Sequence, residues 1–278
     1  MLPTRPRGLL PASLMFVAGA YFLMPLWWLL ISSTKSSTAL FSSQPLWFSH
    51  FNLVTNLRQL FTMDDGIFGR WLLNSVLYAG VGAAAATLVS AMAGYALARY
   101  TFTGRQVVFG VILGAVLLPS SLLVMPLYLL FSQIGLINTV WSVLIPTVAS
   151  PFGVYLARVY AADAVPEDVL NAARMDGAGE FRIFFTIGVR MMTPALATIF
   201  LFQFVGIWNN FFLPLVTLND HRLWPVTLGI FSWNSQPQTL YYNVVVTGCL
   251  VSIFPLVLAF VLLQRFWRSG LASSAVKL

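Results

Sequence analysis

With 278 residues, 59% of them hydrophobic and only 8% charged, and a mean hydropathy of +0.83, the chain is too apolar for a water-soluble domain, in which about a quarter of residues carry charge. Its net charge of +7 does not indicate a nucleic-acid partner, because the basic residues stand singly between apolar blocks, a pattern that orients a protein in membrane lipid. The single cysteine, Cys249, excludes an internal disulfide, and His50 and His221 have no metal-ligand spacing around them.

A membrane span needs about 20 apolar residues, and six are expected, at about 9–31, 71–97, 107–131, 138–158, 191–215 and 243–263. The first follows Arg5 and Arg7 and runs on through Tyr21, Phe22, Trp27 and Trp28. That is too long and too bulky for a cleavable leader, so it reads as an uncleaved span. The connector 32–70 carries Phe41, Pro45, Trp47, Phe48 and Phe51, and is expected to fold as a flap at the interfacial level. Pro119, Pro126, Pro146, Pro151, Pro214 and Pro255 fall in or near spans and predict kinked helices.

The polar residues inside the spans are neutral. Asn74, Ser120, Tyr128, Trp208, Asn209 and Asn210 are the candidates for a substrate pathway. Trp208-Asn209-Asn210-Phe211 would place a ring face and two amides in one turn, the combination that stacks on a sugar ring and satisfies its hydroxyls. The competing reading is that Trp208 sits at a helix contact while the amides bond neighbouring helices.

Between the fourth and fifth spans lies a polar stretch, about 163–187, that holds five of the eight acidic residues: Asp163, Glu167, Asp168, Asp176 and Glu180. Pro166 suits the first position of a helix, and Glu167 and Asp168 suit the positive end of its dipole. Val169, Leu170 and Ala173 give that helix a narrow apolar edge, and Asp176-Gly177 ends it. A second short helix is expected from about Ala178 through Phe181, Phe184 and Phe185. An amphipathic connector resting on lipid is the alternative, but anionic lipid repels the carboxylates and Ala172 and Ala173 are poor anchors. The stretch reads as a docking element.

Placing the N-terminus inside puts 11 of the 15 basic residues on the cytoplasmic side, leaving Lys35, Arg58, Arg70 and Arg222 outside. Both termini and the polar stretch then face the cytoplasm. No glycine-rich loop ends in Lys-Ser or Lys-Thr, and no metalloprotease or serine-hydrolase motif occurs, so the chain reads as neither an ATPase nor a hydrolase, with no metal site. No span interior contains Asp, Glu, Lys, Arg or His. A proton-coupled carrier commonly needs such a group, so energy for transport is expected to enter through the polar stretch.

Asn171-Ala172-Ala173, then Asp176-Gly177-Ala178, then Ile187 and Pro194, resemble the EAA signature in permease subunits of bacterial binding-protein-dependent ABC importers. The first Glu of that signature is Asn171 here, and a Pro near its end is Arg190. Ser33-Thr34-Lys35, Asn56-Leu57, Asn74-Ser75, Gly94-Tyr95-Ala96-Leu97-Ala98-Arg99, Phe102-Thr103-Gly104-Arg105, Pro126-Leu127-Tyr128 and Gly135-Leu136-Ile137-Asn138 resemble carbohydrate-type permeases, in the same order. The tail Gly270–Lys277 resembles that of the maltose-type second permease. The resemblance implies an all-α, polytopic membrane protein with six transmembrane helices and the type I importer permease (MetI-like) fold, as one permease domain over 1–278. It implies a heterodimer with a second permease, two ATPase subunits that bind ATP and Mg, and an extracytoplasmic solute-binding protein. Glu167, Asn171, Ala172, Ala173, Asp176, Gly177, Ala178 and Phe181 would then form the coupling surface for the ATPase. The expected solute is a sugar or sugar derivative; a glycerophosphodiester or polyol importer, or a secondary transporter, is the alternative.

Overall fold

The computed structural model describes residues 9–235 and 241–274, with side chains over 11–235 and 241–266. Every regular element among the described residues is helical. Helix α1 (Leu9–Ser33) is followed by the short α2 (Ser37–Ser42) and by α3 (Leu53–Thr62), which a 3-10 turn at Met63–Gly66 joins to the long α4 (Ile67–Arg99). Then come α5 (Arg105–Val116), α6 (Val124–Gln133), α7 (Trp141–Val148) and α8 (Pro151–Ala164). The polar stretch holds α9 (Glu167–Met175), α10 (Glu180–Ile183), a π-helical turn at Phe184–Gly188 and α11 (Val189–Met191). The series ends with α12 (Thr193–Trp208), α13 (Phe212–Thr217), α14 (Val226–Asn234) and α15 (Tyr242–Ser274). Arg5 and Arg7, and the end of the tail from Ala275 to Leu278, lie outside the described residues.

Four helical runs are long and apolar enough to cross a membrane: Pro11–Ser33, Leu53–Arg99, Trp141–Ala164 and Tyr242–Phe266. Two bent pairs bring the number to six if each is one span. Arg105–Val116 and Ser120–Gln133 meet at 98°, which breaks the span expected at 107–131. Pro119, at φ −60° and ψ 126°, has no N–H to continue α5, and the chain restarts as a 3-10 turn at Ser120–Leu123. Glu180–Met191 and Thr193–Trp208 meet at 80°, with Pro194 in the first turn of α12. The span expected at 138–158 is interrupted too. Extended Ser150 precedes Pro151, and its Oγ accepts from Gly153 N–H at 3.0 Å to cap α8.

The chain divides into two compact units, one of Met1–Phe68 and Ile230–Ile253, the other of Gly69–Gly229 and Phe254–Leu278. In the first, buried Asn56 donates to the carbonyls of Ser33 and Lys35, both at 2.8 Å. Asn243 donates to Asn56 Oδ1 at 2.8 Å and Gln59 Oε1 at 3.1 Å, and accepts from Ser37 Oγ at 2.6 Å. This network ties α3 and α15 to the chain just after α1, so the connector is folded, as a tether would not be. Lys35, counted above among the basic residues on the outer side, is only 1% exposed, and its ammonium donates to the Gln44 carbonyl at 2.5 Å.

In the second unit, α4 and α8 approach closely along small residues. A Cβ on Gly94 would stand 2.5 Å from Ala157 Cβ and 2.6 Å from Arg158 N, and one on Gly153 would stand 2.5 Å from Ser90 Oγ. Small residues four apart on both helices allow that contact. Around it Ala91, Tyr95, Ala157, Ala161, Val165, Leu170, Ile183 and Phe184 form a buried apolar cluster. The polar stretch is built on this cluster.

Candidate functional site

Helix α9 starts one residue later than the sequence suggests. Pro166, with ψ 143°, is its N-cap rather than its first helical residue, and Glu167 and Asp168 occupy the first turn. Leu170 is buried in the cluster, with Ala173 and Ala178 packed partly against it. Val169, expected on the same apolar edge, is exposed, because it lies about 100° round the helix from Leu170. Glu167, Asn171, Ala172 and Asp176 are exposed as well.

The corner is a fully bonded helix stop. Gly177 has φ +80°; its N–H donates to Arg174 O at 3.0 Å, and Ala178 N–H donates to Ala173 O at 3.0 Å. These are the two bonds of a Schellman motif, which needs a left-handed residue at the glycine position. The second helix starts at Glu180, two residues later than expected, and passes through the π-helical turn before α12.

Electrostatics fastens the corner from two sides. Glu180 accepts from Arg174 Nε at 2.7 Å and from the Tyr100 hydroxyl at 2.6 Å, while Arg174 Nη1 donates to Asn171 Oδ1 at 2.9 Å. The Arg174 guanidinium, and then the Tyr100 hydroxyl, hold the Glu180 carboxyl below the usual carboxylate range. Desolvation, and then the bond to Glu180, push the Tyr100 phenol well up. Arg99, one residue earlier, donates to Ala161 O at 2.6 Å and Ala162 O at 2.8 Å, covering the last carbonyls of α8. The end of α4 thus holds α10 through Tyr100 and α8 through Arg99, while α9 is fastened to α10 by Arg174.

At the outer surface of the elbow, Met175 is 84% exposed and Phe181 75%, with Phe185 half exposed. The result is a rigid elbow with an acidic first helix and an apolar ridge at its corner. Its chemistry suits docking rather than catalysis. Arg174, Tyr100 and Met175 were not singled out from the sequence, and Glu180 was counted there only among the acidic residues of the stretch. The Arg174–Glu180 pair spans six positions across a turn, so no helical spacing announces it.

The six pathway candidates fall in four places: Asn74 on α4, Ser120 in the 3-10 turn, Tyr128 on α6, and Trp208, Asn209 and Asn210 together at the end of α12. Asn74 Nδ2 is committed to Arg222 O at 2.8 Å and Trp224 O at 3.0 Å. With Trp71, Ser75 and Tyr78, which bond His221 O, Val226 N–H and Leu223 O, it clamps the segment before α14. Ser120 is exposed in the 3-10 turn, and Tyr128 is half-buried on α6. Trp208, for which the sequence leaves a sugar platform and a helix contact both open, is buried with its ring stacked on Phe204 at 5.8 Å, the setting of a helix contact. The helix ends there, Asn209 donates back to Val205 O at 2.8 Å, and Asn210 stands between α12 and α13.

The model of the family described as "binding-protein-dependent transport system inner membrane component" matches residues 86–271, which include the whole elbow. Among curated relatives, the arabinooligosaccharides transport system permease protein AraQ of Halalkalibacterium halodurans is 34% identical over 255 residues, covering 91% of this chain and 90% of its own. The lactose transport system permease protein LacG of Rhizobium radiobacter is 31% identical, covering 94% of each chain. The crystal structure of a bacterial ABC transporter involved in the import of the acidic polysaccharide alginate contains a chain that superposes with a TM-score of 0.79. It is 22% identical and covers 95% of this chain and 99% of its own, a likeness of fold that agrees with the expected all-helical MetI-like permease. On the family match and these relatives, the chain belongs to the multi-pass inner-membrane components of binding-protein-dependent transport systems.

Proposed function

We propose that this chain is a permease subunit of an ATP-driven importer for an oligosaccharide or related sugar derivative, of the maltose-type second-subunit branch. It pairs with a second permease, receives solute from an extracytoplasmic binding protein, and meets two ATPase subunits that bind ATP and Mg. Both termini and the elbow lie on the cytoplasmic side. Glu167, Asn171, Ala172, Ala173, Asp176, Gly177, Ala178 and Phe181 form the coupling surface. Closure of the ATPase pair moves the elbow as a lever, and the spans alternate between outward- and inward-open states. The observation that carries this reading is the elbow: a corner fixed by two backbone bonds and a carboxylate clamp, with its apolar ridge turned outward. The relatives named for arabinooligosaccharide and lactose transport support the solute class.

The test is reconstitution of the assembled importer in proteoliposomes with its loaded binding protein. ATP-dependent oligosaccharide uptake, with ATPase activity stimulated by the loaded binding protein, is expected. Uptake that persists without ATPase subunits would identify a secondary transporter instead. Uptake confined to a glycerophosphodiester would move the solute class.

A further inference from the structure

Tyr95 lies one turn before the end of α4 and is only 2% exposed, yet its hydroxyl is buried without a hydrogen-bond partner. Native interiors seldom leave such a group unsatisfied, and each case asks what it bonds in another arrangement. The nearby acceptor is Glu180. Both residues line one cavity of about 250 Å³, walled otherwise by Met92, Ala96, Tyr100, Phe181 and Phe184. Here the Glu180 carboxylate takes its hydroxyl bond from Tyr100, whose ring centroid is 6.0 Å from that of Tyr95.

The segment that would carry Glu180 across is the π-helical turn at Phe184–Gly188, closed by Val189 N–H donating to Phe184 O. A π turn holds one residue more than an α turn. Reverting it rotates the preceding helix by about 100° and shifts it by about 1.5 Å along its axis. Tyr95 braces this turn directly. A Cβ on Gly188 would stand 3.1 Å from Tyr95 Cε2, and the Phe184 ring packs edge-on against the Tyr95 ring at 5.2 Å.

Resting on the coupling role of the elbow, we propose that Tyr95 and Tyr100 are alternative donors to Glu180, and that the elbow exchanges one for the other as it is driven through the transport cycle. In the arrangement described here Tyr100 holds the carboxylate and Tyr95 waits. In the other, the π turn relaxes, Glu180 moves into the cavity, and Tyr95 becomes its donor. The cavity is room for that movement, because the unsatisfied Tyr95 hydroxyl and the Glu180 carboxylate belong to residues that both line it.

The test compares Tyr95→Phe, Tyr100→Phe and the double variant in the assembled importer, reading ATP-dependent uptake and hydrogen exchange at residues 184–188 with and without nucleotide. Each change removes one oxygen and keeps the ring, so packing survives. Tyr95→Phe is expected to reduce uptake about tenfold, the scale of one bond to a charged group, and to abolish the nucleotide-dependent change in exchange. Tyr100→Phe is expected to shift exchange the opposite way, giving the nucleotide-bound pattern before nucleotide is added, and the double variant should fall between the two. Wild-type uptake and exchange in Tyr95→Phe, or shifts of the same sign in both single variants, would overturn the switch. Failure of the underlying coupling role reads differently, since Gly177→Val would then also leave uptake intact.

Discussion

Replacing Gly177 tests whether the elbow transmits work through the backbone shape of its corner. At φ +80° an L-residue pays about 1–2 kcal/mol relative to glycine. A Cβ there meets nothing within 4 Å, so the cost is conformational and not steric. A penalty of that size lowers the occupancy of the corner about 5- to 30-fold. Relaxing toward α geometry breaks the bonds from Gly177 to Arg174 and from Ala178 to Ala173, and carries Glu180 away from Arg174. Three substitutions separate the causes. Gly177→Asn, which tolerates the left-handed region, should keep most uptake; Gly177→Ala should be intermediate; Gly177→Val, stiffened by its branched Cβ, should hydrolyse ATP with little uptake. The assay is uptake and ATP hydrolysis measured together in proteoliposomes, with membrane expression checked for each variant. Equal loss in Asn and Val variants would show that backbone conformation is not the reason, and full uptake by the Val variant would refute the lever.

Other consequences are equally direct. Gly94→Ala forces a methyl against the Ala157 Cβ and the Arg158 backbone nitrogen, so the folded protein should lose about 1–3 kcal/mol, seen as a lower melting temperature in detergent. Asn243→Leu leaves Asn56, Gln59 and Ser37 without their shared partner and should cost a similar 1–3 kcal/mol, measured by thermal unfolding, with Asn243→Gln restoring part of it. The Glu180 carboxyl is lowered in the folded protein, so its contribution is complete above the ordinary carboxylate value and is lost as pH falls through the lower, folded value. Protection of the amides at residues 176–183, taken relative to the intrinsic exchange rate at each pH, should therefore be flat from pH 8 to pH 5 and fall only in stronger acid, and Glu180→Gln should remove that acid dependence.

Composition made the membrane class and the helical fold legible, because hardly any charge interrupts the apolar blocks. Several short motifs turn out to have local physical reasons. In Gly135-Leu136-Ile137-Asn138, Gly135 and Asn138 both take positive φ, and Asn138 Oδ1 accepts from Asn219 N–H at 3.0 Å and Asp220 N–H at 2.8 Å. In Gly94-Tyr95-Ala96-Leu97-Ala98-Arg99, the glycine admits α8 and the arginine caps it. What stayed hidden depends on contacts between distant segments. The burial of Lys35 follows from the fold of the connector up to Gln44, not from its own neighbours. Trp208 is different: its ring stacks on Phe204 one turn back on the same helix, a local contact that an aromatic-amide motif does not distinguish from an open platform. At the elbow the acids, alanines and glycine were readable from helix-end chemistry. The Arg174–Glu180–Tyr100 clamp was not, because Tyr100 arrives from the end of another helix.

The most direct measurement places a photo-cross-linking residue at Phe181 or Met175 in the assembled importer and follows its partner with and without nucleotide. Cross-links to the ATPase subunits, changing in yield when nucleotide binds, are expected. Cross-links to lipid or solvent alone, or labelling of these positions by a membrane-impermeant reagent applied from outside the cell membrane, would contradict the coupling role of the elbow.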